Sequence, residues 1–108
     1  MIRSPDEALA YASQAGLRVT FRRLGDWGNA RLLAEYEPRA RTIAIDTTTC
    51  ARLRDRHGPD FVARFITCAI VHETFHHRFP RAGEAAAHAF VQTSTGEDPR
   101  AFEAALRG

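Results

Sequence analysis

The feature that most constrains the fold is a stretch from Pro59 to Pro80 in which apolar residues recur every three or four positions. This spacing places them on one face of an α-helix. Proline suits the first turn of a helix, whereas a second proline cannot continue one. The sequence therefore predicts one long, core-facing helix between these prolines. Its apolar face is formed by Phe61, Val62, Phe65, Ile66, Ala69 and Ile70.

Two histidines and a glutamate occupy the C-terminal half of this predicted helix, in the run His72-Glu73-Thr74-Phe75-His76. Residues four apart are neighbours on a helix surface, so His72 and His76 can bind the same metal ion. Glu73 points about 100° away around the helix axis, where a general base could act on a metal-bound water. The pattern H-E-x-x-H is typical of zinc metalloproteases. We therefore predict zinc ligation by His72 and His76, and catalysis by Glu73.

A third ligand must come from elsewhere, because a catalytic zinc has three protein ligands and one open position. Glu84 begins the segment that follows a predicted reversal at residues 81–83, which brings it close to His76. We predict Glu84 as the third ligand. His88, one helical turn later, is the alternative ligand, or else a catalytic hydrogen-bond donor beside the metal. Tyr36 and a nearby arginine are further candidates for that donor.

The first half of the chain predicts a helix and a small sheet. Ser4 and Pro5 favour a helix over residues 5–15. Three short apolar segments follow near residues 17–24, 32–36 and 42–46, separated by turn residues at 25–29 and 38–40. Connections of hairpin length favour a three-stranded antiparallel meander. In this arrangement the strand at 43–46 would pair with an extended substrate, and Trp27 would cover one end of the core.

Three further helices are predicted around the long one, at residues 50–57, 84–93 and 99–106. The whole is an α+β fold, minimal and zincin-like, in which a helical half follows the sheet. At 108 residues the chain is expected to form one domain, spanning residues 1–108.

Composition narrows the classes of partner and compartment. A net charge of +2 gives little electrostatic drive for direct nucleic-acid binding. No apolar run approaches the ~20 residues of a membrane-spanning helix, and the N-terminus lacks the apolar core of a signal peptide. A cytoplasmic protein that acts on a protein or peptide is therefore expected. The oligomeric state is not predicted.

The chain as a whole resembles the ImmA/IrrE family of zinc metallopeptidases. The resemblance is carried by the segment 42–46, by the H-E-T-F-H motif, and by residues 84–90, which are similar to the family's E-x-E-A-N-x-F-A helix. It implies a gluzincin-like peptidase that uses Zn2+ and cleaves a DNA-binding repressor. This sequence departs from the family pattern at Ala86, which takes the second acidic position, at His88, which replaces asparagine, and at Val91.

Two functions follow from these observations. The first is a zinc-dependent peptidase that hydrolyses a peptide bond in a protein partner such as a transcriptional repressor, with Glu73 activating a zinc-bound water. The alternative is a catalytically weak or silent binding module with a zincin fold that sequesters a regulatory protein partner. The intact Glu73 favours the enzyme, whereas the departures from the family pattern favour the binding module.

Overall fold

The computed structural model describes residues 1–24 and 34–107. In this part of the chain a helix is followed by three strands and then by four helices, which is the α+β order that the sequence predicts. The elements are α1 (Pro5–Gln14), β1 (Arg18–Arg22), β2 (Ala34–Glu37), β3 (Thr42–Asp46), α2 (Thr47–His57), α3 (Pro59–Arg78), α4 (Glu84–Thr95) and α5 (Pro99–Arg107).

The sheet has the order β1-β3-β2, so the predicted antiparallel meander is wrong. β2 and β3 form an antiparallel hairpin as expected, but β1 pairs with β3 in the parallel direction. β1 ends at Arg22 and β2 begins at Ala34, a larger separation along the chain than a hairpin connection usually has. The sequence of β3 agrees with its central position, because Ile43, Ala44 and Ile45 are consecutive apolar residues. All three are buried, as expected of a strand covered on both faces.

The predicted role of residues 43–46 in substrate pairing is wrong for the same reason. Both edges of β3 are already hydrogen-bonded, one to β1 and the other to β2. The predicted turn at 25–29, with Trp27, and the start of the predicted second strand at Leu32 and Leu33 lie outside the described residues.

The long helix α3 is the centre of the core. Phe65, Ile70 and Val71 on α3 are buried together with Ile43 and Ile45 of β3. Each such side chain contributes about 1.5–3 kcal/mol through removal of its apolar surface from water. This packing fixes the rotation of α3 about its axis and therefore the direction in which its histidines point.

A reversal between α3 and α4 places the two helices side by side. α3 ends at Arg78, before Pro80, and α4 begins at Glu84. Ala87 and Val91 of α4 are completely buried, and the small alanine allows close approach of the two helices. The start of α4 consequently lies against the end of α3, as the sequence predicts.

Asp46 connects the sheet to α2 and should be important for stability. Its carboxylate accepts hydrogen bonds from the backbone N–H of Leu24 (3.2 Å) and from the backbone N–H (3.2 Å) and hydroxyl (2.6 Å) of Thr49. Although burial opposes it, these hydrogen bonds lower the pKa of Asp46. Asp46→Ala is expected to reduce the free energy of unfolding by about 2–3 kcal/mol, as measured by urea denaturation.

Ser4→Ala is a matched control for Asp46→Ala, because the Ser4 hydroxyl caps α1 at a more exposed site, where it accepts a hydrogen bond from the N–H of Glu7 (3.2 Å) and donates one to Oε1 of Glu7 (3.2 Å). It should cost about 1 kcal/mol. A loss for Asp46→Ala that is no larger than the loss for Ser4→Ala would contradict the assigned role of Asp46.

Candidate metal centre

Two pairs of side chains, one pair on α3 and the other on α4, face each other between the two helices. His72 and His76 come from α3, whereas Glu84 and His88 come from α4, and each pair is spaced by one helical turn. The Nε2 atoms of His72 and His76 are 3.3 Å apart. Glu84 contacts both histidines, with Oε2 at 3.1 Å from Nε2 of His72 and Oε1 at 2.6 Å from Nε2 of His76. His88 Nε2 lies 3.6 Å from Glu84 Oε2.

These distances suit a tetrahedral zinc site. Zinc bonds to nitrogen and oxygen are about 2.0–2.2 Å long, so two ligand atoms of a tetrahedral site lie about 3.3–3.6 Å apart. Three of the four separations are close to this range. The fourth, between His76 and Glu84, is that of a short charge-assisted hydrogen bond. Imidazole nitrogen and carboxylate oxygen are ligands that zinc commonly uses, so the chemistry of the set fits as well.

The structure therefore brings together all four predicted metal-site positions: His72, His76, Glu84 and His88. The ligand atoms of His72, Glu84 and His88 all lie within 4.8 Å of one another. Glu84 contacts both histidines of α3, whereas His88 is placed beside Glu84 on the outer part of the cluster. Metal ligation by each of these four residues stays a prediction.

Glu73 is in contact with the other nitrogen of the His72 ring. Its Oε1 lies 3.3 Å from Nδ1 of His72, while the side chain remains 19% exposed. A carboxylate on the far nitrogen of a ligand histidine fixes the orientation of the ring and increases its basicity. This contact directs Nε2 of His72 into the cluster. The catalytic role of Glu73 stays a prediction.

Glu103 of α5 is a residue that the sequence analysis missed. Its Oε1 lies 3.3 Å from Nε2 of His88. The contact depends on the position of α5, which is anchored by the buried Phe102 against Phe61 and Phe65. The apolar period of α5 was a signal for its buried face, but no spacing in the sequence connects residue 103 with residue 88.

Tyr36 and His77 form a second contact near the end of α3. The hydroxyl of Tyr36 lies 2.5 Å from Nδ1 of His77, so this candidate oxyanion donor is already engaged. The pair connects β2 to α3 one residue beyond His76 and therefore holds an edge of the sheet beside α3. His57, at the end of α2, packs on the ring of Phe61.

The acid–base properties of the cluster depend on its charges. Burial lowers the pKa of His72, but the carboxylates of Glu73 and Glu84 outweigh burial and the net shift is upward. Burial likewise raises the pKa of Glu84, but His72 and His76 outweigh it and the net shift is downward. Each group is thus stabilised in its charged form by the other.

The signs of these shifts predict a pH window for the chelator-treated protein. The raised pKa of His72 adds stability below its ordinary value of 6.5, and this is lost as the pH rises through the folded-state pKa. The lowered pKa of Glu84 adds stability above its ordinary value of 4.5, and this is lost as the pH falls through the folded-state pKa. Both contributions are present in full only between these two ordinary values.

Urea denaturation of the wild type and of Glu84→Gln tests this window. Because the Glu84 side chain is 64% exposed, the variant should cost under about 1 kcal/mol near pH 5.5, and less near pH 8.5. A larger cost at the higher pH would contradict the assigned charge pair.

Comparison with protein-family models, curated proteins and solved structures finds no match to this chain. The resemblance to ImmA/IrrE peptidases therefore stays a prediction from the motif. No helix in the described part of the chain combines the length and apolar character needed to cross a membrane.

Proposed function

We propose that this chain is a zinc-dependent peptidase with a minimal zincin-like fold. The observation that carries the proposal is the convergence of His72, His76 and Glu84. The Nε2 atoms of His72 and His76 are 3.3 Å apart, and Nε2 of His72 lies 3.1 Å from Oε2 of Glu84, which is close to the separations in a tetrahedral zinc site, while Nε2 of His76 lies 2.6 Å from Oε1 of Glu84. The H-E-x-x-H motif places a second acidic group, Glu73, directly beside these ligands.

The residues of the site have two roles, which are metal binding and proton transfer. His72, His76 and Glu84 would hold the ion, which when bound supplies Lewis acidity that polarises a carbonyl and acidifies water. Glu73 is partly exposed, so its carboxylate is able to accept a proton from water and return it to the leaving amine. Its contact with His72 keeps the ring oriented between these events.

An extended peptide would be held by the sheet edge nearest the motif. In the part of the chain that the structure describes, β2 pairs on one side with β3, and it is connected to α3 through Tyr36 and His77. Its other edge carries backbone groups that can pair with a substrate strand. A protein partner such as a DNA-binding repressor is the substrate that the sequence resemblance implies.

The alternative function is a weakly active or silent metal-binding module that sequesters a regulatory protein. The position of His88 favours it, because a fourth protein ligand would close the site to water. The contact of Glu73 with His72 favours it as well, since it gives Glu73 a structural role.

Cleavage of a peptide library by the zinc-loaded protein is the direct test. We expect new peptide termini, identified by mass spectrometry, that disappear when a chelator is added and return with zinc. The absence of new termini from zinc-loaded, folded protein, together with tight binding of a regulatory partner, would support the binding module instead.

A further inference from the structure

The carboxylates of Glu84 and Glu103 both lie close to the Nε2 atom of His88. Its Nε2 is 3.6 Å from Oε2 of Glu84 and 3.3 Å from Oε1 of Glu103. The His88 ring is largely buried, and its centroid is 5.7 Å from that of His72. His88 is therefore directed into the metal cluster from α4 while it is also held by α5.

The Nε2 atom of His88 cannot bind a metal ion and keep its contact with Glu103 at the same time. A histidine nitrogen binds zinc only when it carries no proton, whereas the 3.3 Å contact of His88 Nε2 with the carboxylate of Glu103 is favourable only when that nitrogen carries a proton. Its separation from Glu84 lies close to the spacing of two ligands on one tetrahedral zinc. Binding of the metal by His88 must therefore break its contact with Glu103.

We propose that His88 is a fourth metal ligand and that Glu103 competes with the metal for its Nε2 atom. The proposal rests on the metal site of the proposed function. With His88 on the metal, four protein ligands close the site, as in structural zinc sites; with His88 on Glu103, one position is open, as in catalytic sites. Helix α5 thus sets the balance between a closed and an open site.

The packing of α5 fixes the position of Glu103, and the interaction of its carboxylate with His88 is of moderate strength. Phe102, the residue before it, is 5% exposed, and its ring lies 5.2 Å from that of Phe61 and 6.0 Å from that of Phe65. The Glu103 side chain itself is 49% exposed, so solvent weakens its interaction with His88. Glu103 is a positioning residue that a metal ion can displace.

Cobalt-substituted protein titrated with azide tests the proposal. The visible absorption of Co2+ reports the number of its ligands, and azide binds only where a position is open. We expect Glu103→Ala to bind azide roughly three- to tenfold more weakly than the wild type, because His88 is released to the metal. His88→Ala should bind azide at least about threefold more tightly, and its zinc affinity should fall at least about tenfold.

Asp55→Ala is the control, because it removes an exposed carboxylate from α2 and should leave azide affinity unchanged. Glu103→Gln, which keeps the shape of the side chain but not its charge, should shift azide affinity in the same direction as Glu103→Ala even if the alanine variant perturbs α5. Equal azide affinity in the wild type, His88→Ala and both Glu103 variants would overturn this inference alone. Failure of the folded wild type to bind cobalt would overturn it together with the metal site.

Discussion

His76→Ala is expected to lower the affinity for zinc at least about a hundredfold, since loss of a direct ligand should cost no less than the 10–100-fold measured for outer-shell partners. His76 Nε2 contacts both Nε2 of His72 and Oε1 of Glu84, so its removal takes away one corner of the ligand set. Competition with a chromophoric zinc chelator measures the change.

The matched control for this variant is His57→Ala, the same substitution at an exposed histidine that packs on Phe61 at the end of α2. It should leave zinc affinity unchanged. An equal loss in the two variants would mean that the cluster on α3 and α4 is not the zinc site, whereas an intact affinity in both would mean that His76 is not a ligand.

Glu73→Gln is expected to lower peptide hydrolysis by about 10²–10⁴-fold at saturating zinc, because it removes the group that accepts and returns the proton. The variant should retain bound zinc, although the loss of a charged partner on Nδ1 of His72 should weaken zinc binding by up to about a hundredfold. The measurement is hydrolysis of a cleaved library peptide across a range of zinc concentrations.

The zinc dependence separates the two roles of Glu73. If Glu73 acts only by orienting His72, excess zinc will restore hydrolysis to the wild-type rate, and the assignment as general base will be wrong. Asp55→Asn, which neutralises an exposed carboxylate of α2, is the control and should hydrolyse the peptide at the wild-type rate.

Local signals in the sequence were sufficient for most of the helices and for the geometry of the motif. The apolar period between Pro59 and Pro80 predicted α3, and Ser4 with Pro5 predicted the start of α1. Because the spacing within a helix is fixed, the predicted proximity of His72 and His76 is confirmed by a separation of 3.3 Å between their Nε2 atoms. A tight reversal was likewise enough to predict the contact with Glu84.

Features that depend on long-range packing could not be predicted in the same way. The parallel pairing of β1 with β3 involves residues far apart in the chain, and alternation of apolar residues does not define which strands are neighbours. The sequence signal for a central strand is the unbroken apolar run of Ile43, Ala44 and Ile45, all three of which are buried. Glu103 contacts His88 because the packing of Phe102 against Phe65 positions α5 on α3.

The metal content of protein purified without exposure to a chelator is the most direct test of the central claim, that this chain binds zinc. The account predicts about one zinc ion per chain in the wild type by elemental analysis, and little or none in a His72→Ala, His76→Ala double variant that remains folded. Wild-type protein that contains no zinc and does not take it up when zinc is supplied would contradict the account.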